Sequence, residues 1–143
     1  STEVILSYLF ASSIWKKEAK NWHTFQLRDR RFFKSLSEQL PCNYFILYAY
    51  VKLLNGLGYE LYFKEGLNWL NNLIKNELSQ NNRDGKYKNI AIEQMENYIR
   101  NYIYQFAAKI RKQGSIKEKV ITILNWLIEN GSVTGYLLRE KIL

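Results

Sequence analysis

The chain has 143 residues and a mass of 17.1 kDa, which fits one domain with a single hydrophobic core. Hydrophobic residues make up 47% of it, which excludes an intrinsically disordered tail. Lysine and arginine number 21 against 13 aspartates and glutamates, and the resulting net charge of +8 favours a polyanionic partner such as nucleic acid.

Cysteine content and hydropathy restrict the cellular setting. Cys42 is the only cysteine, which excludes an intrachain disulfide and a cysteine-rich zinc site, so we expect a reducing, cytoplasmic compartment. Glu3 precedes the first apolar run without a basic region before it, which argues against a secretory signal. The longest apolar stretch, residues 44–54, contains Lys52 and is shorter than the ~20 residues that cross a bilayer as a helix. Since the chain opens on Ser1 and ends in REKIL, we expect a processed product or part of a longer protein.

The spacing of apolar residues predicts a single-domain, all-α bundle of about five to seven helices over residues 1–143. A first helix is predicted at residues 3–15. The next helix ends at Pro41, because proline lacks an N–H group and disfavours helical backbone at the residue before it. Residues 42–55 are apolar nearly all the way round, so we expect the central core helix there.

The middle of the chain alternates between turns and helices. Residues 59–63, YELYF, alternate in polarity like a strand, but a lone strand has no partner, so we expect a turn. A helix is predicted at 64–78, a polar loop at 79–88, and a long helix at 89–112 that Gly114 ends. The predicted core positions on these two helices are Leu67, Leu70, Leu73, Ile74, Leu78, Ile92, Met95, Ile99, Ile103, Phe106 and Ile110.

Capping signals predict the last two helices. Ser115 and Glu118 form a capping-box pattern, and the helix that follows carries an apolar stripe and stops at Asn130 and Gly131. Ser132 is predicted to cap a short last helix that packs on the bundle. The stripe residues are Val120, Ile123, Leu124, Leu127 and Ile128, and the last helix bears Tyr136, Leu137 and Leu138.

The stretch from Trp15 to Lys34 is the strongest functional signal, because it contributes +5 of the net charge and carries five aromatic rings. This pattern is typical of phosphate contact by cations with bases stacked on rings. In the alternative, the rings are core residues and the charges form a solvated face, and helical spacing favours that for Phe32 and Phe33, which share a side with Leu36 and Leu40. If Thr24 or Asp29 caps this helix, cations crowd its positive end, and a bound anion would relieve the repulsion.

We select the following residues as nucleic-acid contacts. The first choices are Arg28, Arg30, Arg31 and Lys34, and Lys16, Lys17 and Lys20 come second. A second cluster surrounds Gly114, from which we select Lys109, Arg111 and Lys112; with Lys117 and Lys119, it contributes only if the fold brings it near the first. Otherwise these cations form an ordinary helix end, whose dipole they suit. A third contact is predicted for Arg83, Lys86 and Lys88 on the polar loop.

The residues needed for catalysis are sparse, so we expect neither an enzyme nor a bound metal or cofactor. His23 is the only histidine, which leaves a general base or a triad short of partners. Glu93 and Glu96 lie on one helix without a second carboxylate cluster and are interpreted as a solvated edge. The glycine-containing stretches GLG and DGK lack the spacing of a phosphate-binding loop.

Three blocks of the chain, RDRRFFKSL, YFILYAYVKLLNGLGY and NGSVTGYLLRE, resemble the C-terminal helical domain of the large subunit of type I-D CRISPR surveillance complexes. The chain as a whole is similar to the small subunits of these Cascade complexes. The resemblance implies a non-catalytic part of a ribonucleoprotein assembly in antiviral defence, with other subunits and further copies of the chain as partners. It also implies that Arg28, Arg30, Arg31 and Lys34 hold the displaced or target strand.

The leading hypothesis is a helical bundle that binds a DNA or RNA backbone without sequence specificity. One alternative is a protein-interaction module with aromatic docking surfaces, since interfaces favour tyrosine, tryptophan and arginine. Another is a truncated helix-turn-helix DNA-binding domain, because the capped helix followed by NGS and VTGYLLREKIL resembles the opening two helices of winged-helix or helix-turn-helix domains, although a recognition helix should follow. A membrane-surface contact is disfavoured, because the core needs Phe32, Phe33 and Leu36.

Overall fold

A computed structural model describes residues 31, 34–35, 37–39, 42–57, 59–76 and 85–143, with the backbone alone for residues 53, 56, 57 and 59–63. These residues form helices and short connections, without a strand among them, so the predicted all-α class is confirmed. The predicted helix at 3–15 lies outside the described residues. None of the described helices is both long enough and apolar enough to cross a membrane. After helical residues within 31–39 come α1 (Tyr44–Leu57), α2 (Tyr59–Lys75), α3 (Gly85–Lys112), α4 (Gly114–Glu129) and α5 (Val133–Ile142).

Helix α1 is the predicted central helix, shifted by two residues. It begins after Asn43, whose Oδ1 atom accepts a hydrogen bond from the Ile46 N–H at 2.8 Å and so caps the first turn. Its main neighbour is α3, and the side chains it buries point in several directions. They are Ile46, Leu47, Ala49, Tyr50, Val51 and Leu54.

Helix α2 overturns one predicted turn. Residues 59–63 form its beginning, because a helix satisfies their backbone groups without the partner strand that they lack. It ends at Lys75, three residues earlier than predicted. Asn76 closes it: its N–H donates to the Leu73 carbonyl and its own carbonyl accepts from the Cys42 N–H, both at 3.1 Å.

Helix α3 starts at Gly85, so the last four residues of the predicted loop are helical. The predicted stripe is confirmed at four buried positions, Met95, Ile99, Ile103 and Ile110, whereas Ile92 and Phe106 are half-buried. Phe106 departs from helical geometry at φ −122° and ψ 22°, which kinks the helix.

The predicted capping box at the start of α4 is wrong. Gln113 is the one non-helical residue between α3 and α4, so Gly114 begins α4 rather than ending α3 as predicted. Ser115 and Glu118 therefore lie inside the helix, where they cannot act as the cap pair. Gln113 occupies the cap position with extended backbone, and its side chain accepts no capping hydrogen bond.

The turn between α4 and α5 matches the prediction. Gly131 has a positive φ of 86°, a conformation that favours glycine, and Ser132 caps α5 by accepting a hydrogen bond from the Gly135 N–H at 2.9 Å. The Ser132 hydroxyl also donates to Glu96 at 2.6 Å, so the prediction of a solvated edge is wrong for this half-buried glutamate.

Helix α5 packs on the bundle, as predicted, and it meets α4 at Gly135. A Cβ atom added to Gly135 would lie 2.8 Å from the Leu127 Cβ, which shows how closely the two helices approach. Of the three residues named for this helix, Leu138 is buried, whereas Tyr136 and Leu137 are 50% and 58% exposed. Three consecutive residues of a helix point in different directions and cannot all face one neighbour.

Candidate nucleic-acid interface

The structure describes part of the predicted contact set. Lys16, Lys17, Lys20, Arg28 and Arg30 lie outside the described residues. Arg31 and Lys34 are helical and exposed, as expected for the solvent side of their helix. Lys109, Arg111 and Lys112 are exposed in the last turn of α3. All five described residues are accessible, and their contact with nucleic acid stays a prediction.

The backbone at Lys34 is fixed to the core by one buried serine. The Ser37 side chain is fully buried, and its hydroxyl donates a hydrogen bond to the Lys34 carbonyl at 2.6 Å. A side-chain hydrogen bond also joins Ser37 to Tyr50 of α1. Burial raises the pKa of Tyr50 well above its usual value, and the nearby Tyr98 adds to this, whereas the bond to Ser37 lowers it. Tyr50 therefore stays neutral and holds the Lys34 segment against α1.

The end of α2 holds the same segment from the other side. The Asn76 side-chain amide donates to the Ser37 carbonyl at 2.9 Å and to the Glu38 carbonyl at 2.8 Å. The residue before it, Lys75, is exposed. These bonds place the Lys34 segment beside the end of α2.

A cleft of about 470 Å³ lies where the Lys34 segment, α2 and α4 meet. Each of the three contributes a lysine to it: Lys34, Lys75 and Lys119. Glu65 is the acidic residue among its described lining, and the Glu38 carboxylate lies 4.0 Å from the Lys34 ammonium. Cations therefore outnumber carboxylates in the lining. The remaining lining residues are Asn68, Trp69, Asn71 and Asn72.

Asn71 fixes α2 to α4 at this cleft. Its side chain is 4% exposed, and its amide donates to the Leu67 carbonyl at 3.0 Å and to the Lys119 carbonyl at 3.1 Å. The second bond crosses from α2 to α4 and holds the Lys119 backbone beside α2. The hydrogen bond from the buried Asn71 amide therefore fixes where the Lys119 backbone lies beside α2.

A smaller cleft of about 100 Å³ continues from the first, since Asn68 and Lys119 line both. It adds Lys64 and the start of α4 at Gln113 and Ser115. The first N–H groups of a helix have no partner within it and carry a partial positive charge. At α4, neither an acidic residue in the first turn nor a side-chain cap offsets that charge. We name the two clefts together the basic groove, with its cations Lys34, Lys64, Lys75 and Lys119.

Sequence reasoning missed the α2 side of the basic groove. Lys64, Asn68, Asn72 and Lys75 are four, four and three residues apart, which places them along one side of a helix. That polar spacing was the available signal, but a charge count along the chain passes over it because α2 holds few cations. The second cluster was expected to contribute only if the fold brought it near the first. Lys119 of that cluster meets this condition, because it lines the same cleft as Lys34.

The other predicted cations are placed elsewhere. Arg111 lines a different groove, between α3 and α5, and the Lys109 ammonium lies 5.7 Å from the centre of the Phe106 ring. Lys86 and Lys88 were predicted on a loop, which is wrong, because both belong to the first turns of α3. Their ammonium groups lie 5.0 Å and 5.9 Å from the rings of Tyr87 and Tyr44. These lysines form cation–π pairs at the start of α3.

Within the described part of the chain, no three His, Cys, Asp or Glu residues form a group able to hold a metal ion. Comparisons of the chain with protein families, with curated proteins and with solved structures found no match. The functional interpretation therefore depends on the chemistry of the basic groove.

Proposed function

We propose that the protein is a non-catalytic nucleic-acid-binding subunit of a larger ribonucleoprotein assembly, which holds a DNA or RNA backbone in the basic groove. One observation carries the proposal: lysines far apart in the sequence, Lys34, Lys75 and Lys119, line one cleft. Glu65 and Glu38 offset only two of these three charges, so the cleft attracts an additional anion. A nucleic-acid backbone supplies such charges in a regular series.

The other groups in the basic groove suit phosphate and sugar oxygens. Asn68 and Asn72 bring amide donors to its lining, and the start of α4 brings backbone N–H groups in the position where helices commonly bind phosphate. Lysine ammonium groups act as point charges rather than as planar forks that read a base edge. This set of donors supports binding that is tolerant of sequence.

The assembly part of the proposal is supported by the resemblance to the small subunits of CRISPR surveillance complexes. It implies a role in antiviral defence in the cytoplasm, with other subunits and copies of the chain as partners and without a membrane role. The alternative of a protein-docking module is favoured by a separate observation, since Tyr104, Val133, Leu137 and Leu143 are between 58% and 72% exposed. The truncated helix-turn-helix alternative stays a prediction.

The proposal is tested by fluorescence anisotropy with labelled single-stranded DNA, duplex DNA and RNA over a salt series. The variant Lys34→Glu/Lys75→Glu/Lys119→Glu reverses the lysines of the larger cleft, and Lys86→Glu/Lys88→Glu/Lys141→Glu makes the same change of charge outside the basic groove. We expect the first variant to lose binding to at least one nucleic acid and the second to keep most of it, with both folded by circular dichroism. Equal loss in the two variants would show a response to net charge alone and overturn the assignment of the groove, as would a wild type that binds none of the three at low salt.

A further inference from the structure

A groove of about 360 Å³ lies between α3 and α5 and shares no lining residue with the basic groove. Its floor is apolar, formed by Ile103, Ala107 and Ile110 of α3 and by Ile142 of α5. The isoleucines of the floor are at most 6% exposed, so the floor is the surface of the hydrophobic core. We name it the α3–α5 groove.

The rim of the α3–α5 groove combines an exposed ring with two cations. The Tyr104 ring is 63% exposed, and the Lys141 ammonium lies 5.5 Å from its centre. Arg111 is exposed on the α3 side. None of the described lining residues carries a carboxylate. The groove therefore presents an apolar floor with a positive rim.

An apolar strip on α5 leads to this rim. Val133, Leu137 and Lys141 are spaced by four residues, so they lie along one side of α5 over ~12 Å. Val133 and Leu137 are 71% and 58% exposed. Contiguous exposed apolar patches that are rimmed by polar residues are characteristic of protein contact surfaces.

We propose that the α3–α5 groove binds an acidic amphipathic helix of a protein partner. Apolar side chains of that helix, three or four residues apart, pack on Val133, Leu137 and Tyr104, and its carboxylates pair with Arg111 and Lys141. This inference rests on the assembly part of the proposed function and is independent of the basic groove.

Charge and polarity decide between possible occupants. A nucleic-acid backbone pairs with the rim cations but leaves the exposed apolar strip on α5 uncovered. A second copy of the chain brings a net charge of +8 to a rim that is already positive. An acidic amphipathic helix covers the apolar strip and pairs with the rim cations at the same time.

The test uses the full chain and two fluorescein-labelled synthetic peptides of about four helical turns. In one peptide the leucines are spaced alternately three and four residues apart, and glutamate fills the other positions. The other peptide has lysine in place of each glutamate. The variants are Leu137→Glu, Arg111→Glu/Lys141→Glu, and the basic-groove variant Lys75→Glu/Lys119→Glu, which reverses the same number of cations and is the matched control for general attraction of acidic peptides.

We expect the glutamate peptide to bind the wild type and the lysine peptide not to bind. The affinity for the glutamate peptide should fall by about tenfold or more in Leu137→Glu and in Arg111→Glu/Lys141→Glu. The second variant should also bind the lysine peptide more tightly than the wild type does. The basic-groove variant should bind the glutamate peptide as the wild type does.

Absence of binding to the wild type, or equal binding to Leu137→Glu, would overturn the proposal. Loss of peptide binding in the basic-groove variant, or displacement of the peptide by an oligonucleotide, would also overturn it and assign the rim cations to nucleic acid. Nucleic-acid anisotropy with Leu137→Glu keeps the two proposals separable, because this change leaves every residue of the basic groove in place.

Discussion

Replacing Lys75 and Lys119 with alanine is expected to halve the salt dependence of nucleic-acid binding through the basic groove. Each phosphate neutralised on a single strand contributes about −0.7 to the slope of log affinity against log salt, so the four groove lysines give a slope of about −2.8. Raising the salt from about 50 mM to about 200 mM then weakens the wild type by about 50-fold. With two lysines removed, the slope becomes about −1.4 and the loss about sevenfold.

The measurement is a set of anisotropy titrations of a labelled single strand at several salt concentrations. Contacts made by residues outside the described ranges add equally to both proteins, so the difference in slope, about 1.4, is the quantity to test. The matched control is Lys86→Ala/Lys141→Ala, which removes the same charge outside the basic groove and should leave the slope unchanged. An unchanged slope in Lys75→Ala/Lys119→Ala would mean that these lysines do not neutralise phosphates, and the reasoning from the cleft would fail.

Two further predictions concern stability. Gly135→Ala should lower the free energy of unfolding by about 1 to 3 kcal/mol, because the added Cβ lies 2.8 Å from the Leu127 Cβ. The measurement is urea denaturation, and the control is Gly114→Ala, where an added Cβ meets nothing within 4 Å. Equal stability of the two variants would contradict the close approach of α5 to α4. Burial raises the pKa of Tyr102 from 10.0 to about 12, so the folded protein keeps this phenol neutral after the unfolded chain has ionised. Its stabilising effect is complete below pH 10 and is lost as the pH rises to about 12, so the wild type should lose more stability than Tyr102→Phe between about pH 9 and about pH 11, and parallel losses would refute this.

Periodicity predicted the interior of the bundle well. Leu70, Leu73 and Ile99 were placed in the core by spacing alone and are fully buried. The end of α4 was also predictable, because Gly131 and Ser132 have local conformational reasons to stand there. Local pattern failed where a neighbouring element decided the outcome. The capping-box residues were absorbed into α4, because α3 runs to within one residue of its start.

The candidate site was predictable only in part. Lys34 and Lys119 were noted as members of separate clusters, but their meeting depends on how α2 packs between their segments. Lys64 and Lys75 gave no signal by charge density, because they are eleven residues apart and Glu60 and Glu65 of the same helix balance their charge. Residues far apart in the sequence meet because of how the helices pack against one another. The spacing of residues within one helix does not predict that packing.

Asn76 determines part of the geometry of the basic groove without contributing to its charge. Its side chain bonds the Ser37 and Glu38 carbonyls and its own carbonyl accepts from the Cys42 N–H, so one uncharged residue ties the Lys34 segment and the residues before α1 to the end of α2. A substitution there shifts the distance between Lys34 and Lys75 and leaves the number of lysines the same. The spacing of the lysines in the basic groove can therefore be altered at this position without altering the charge that attracts a backbone.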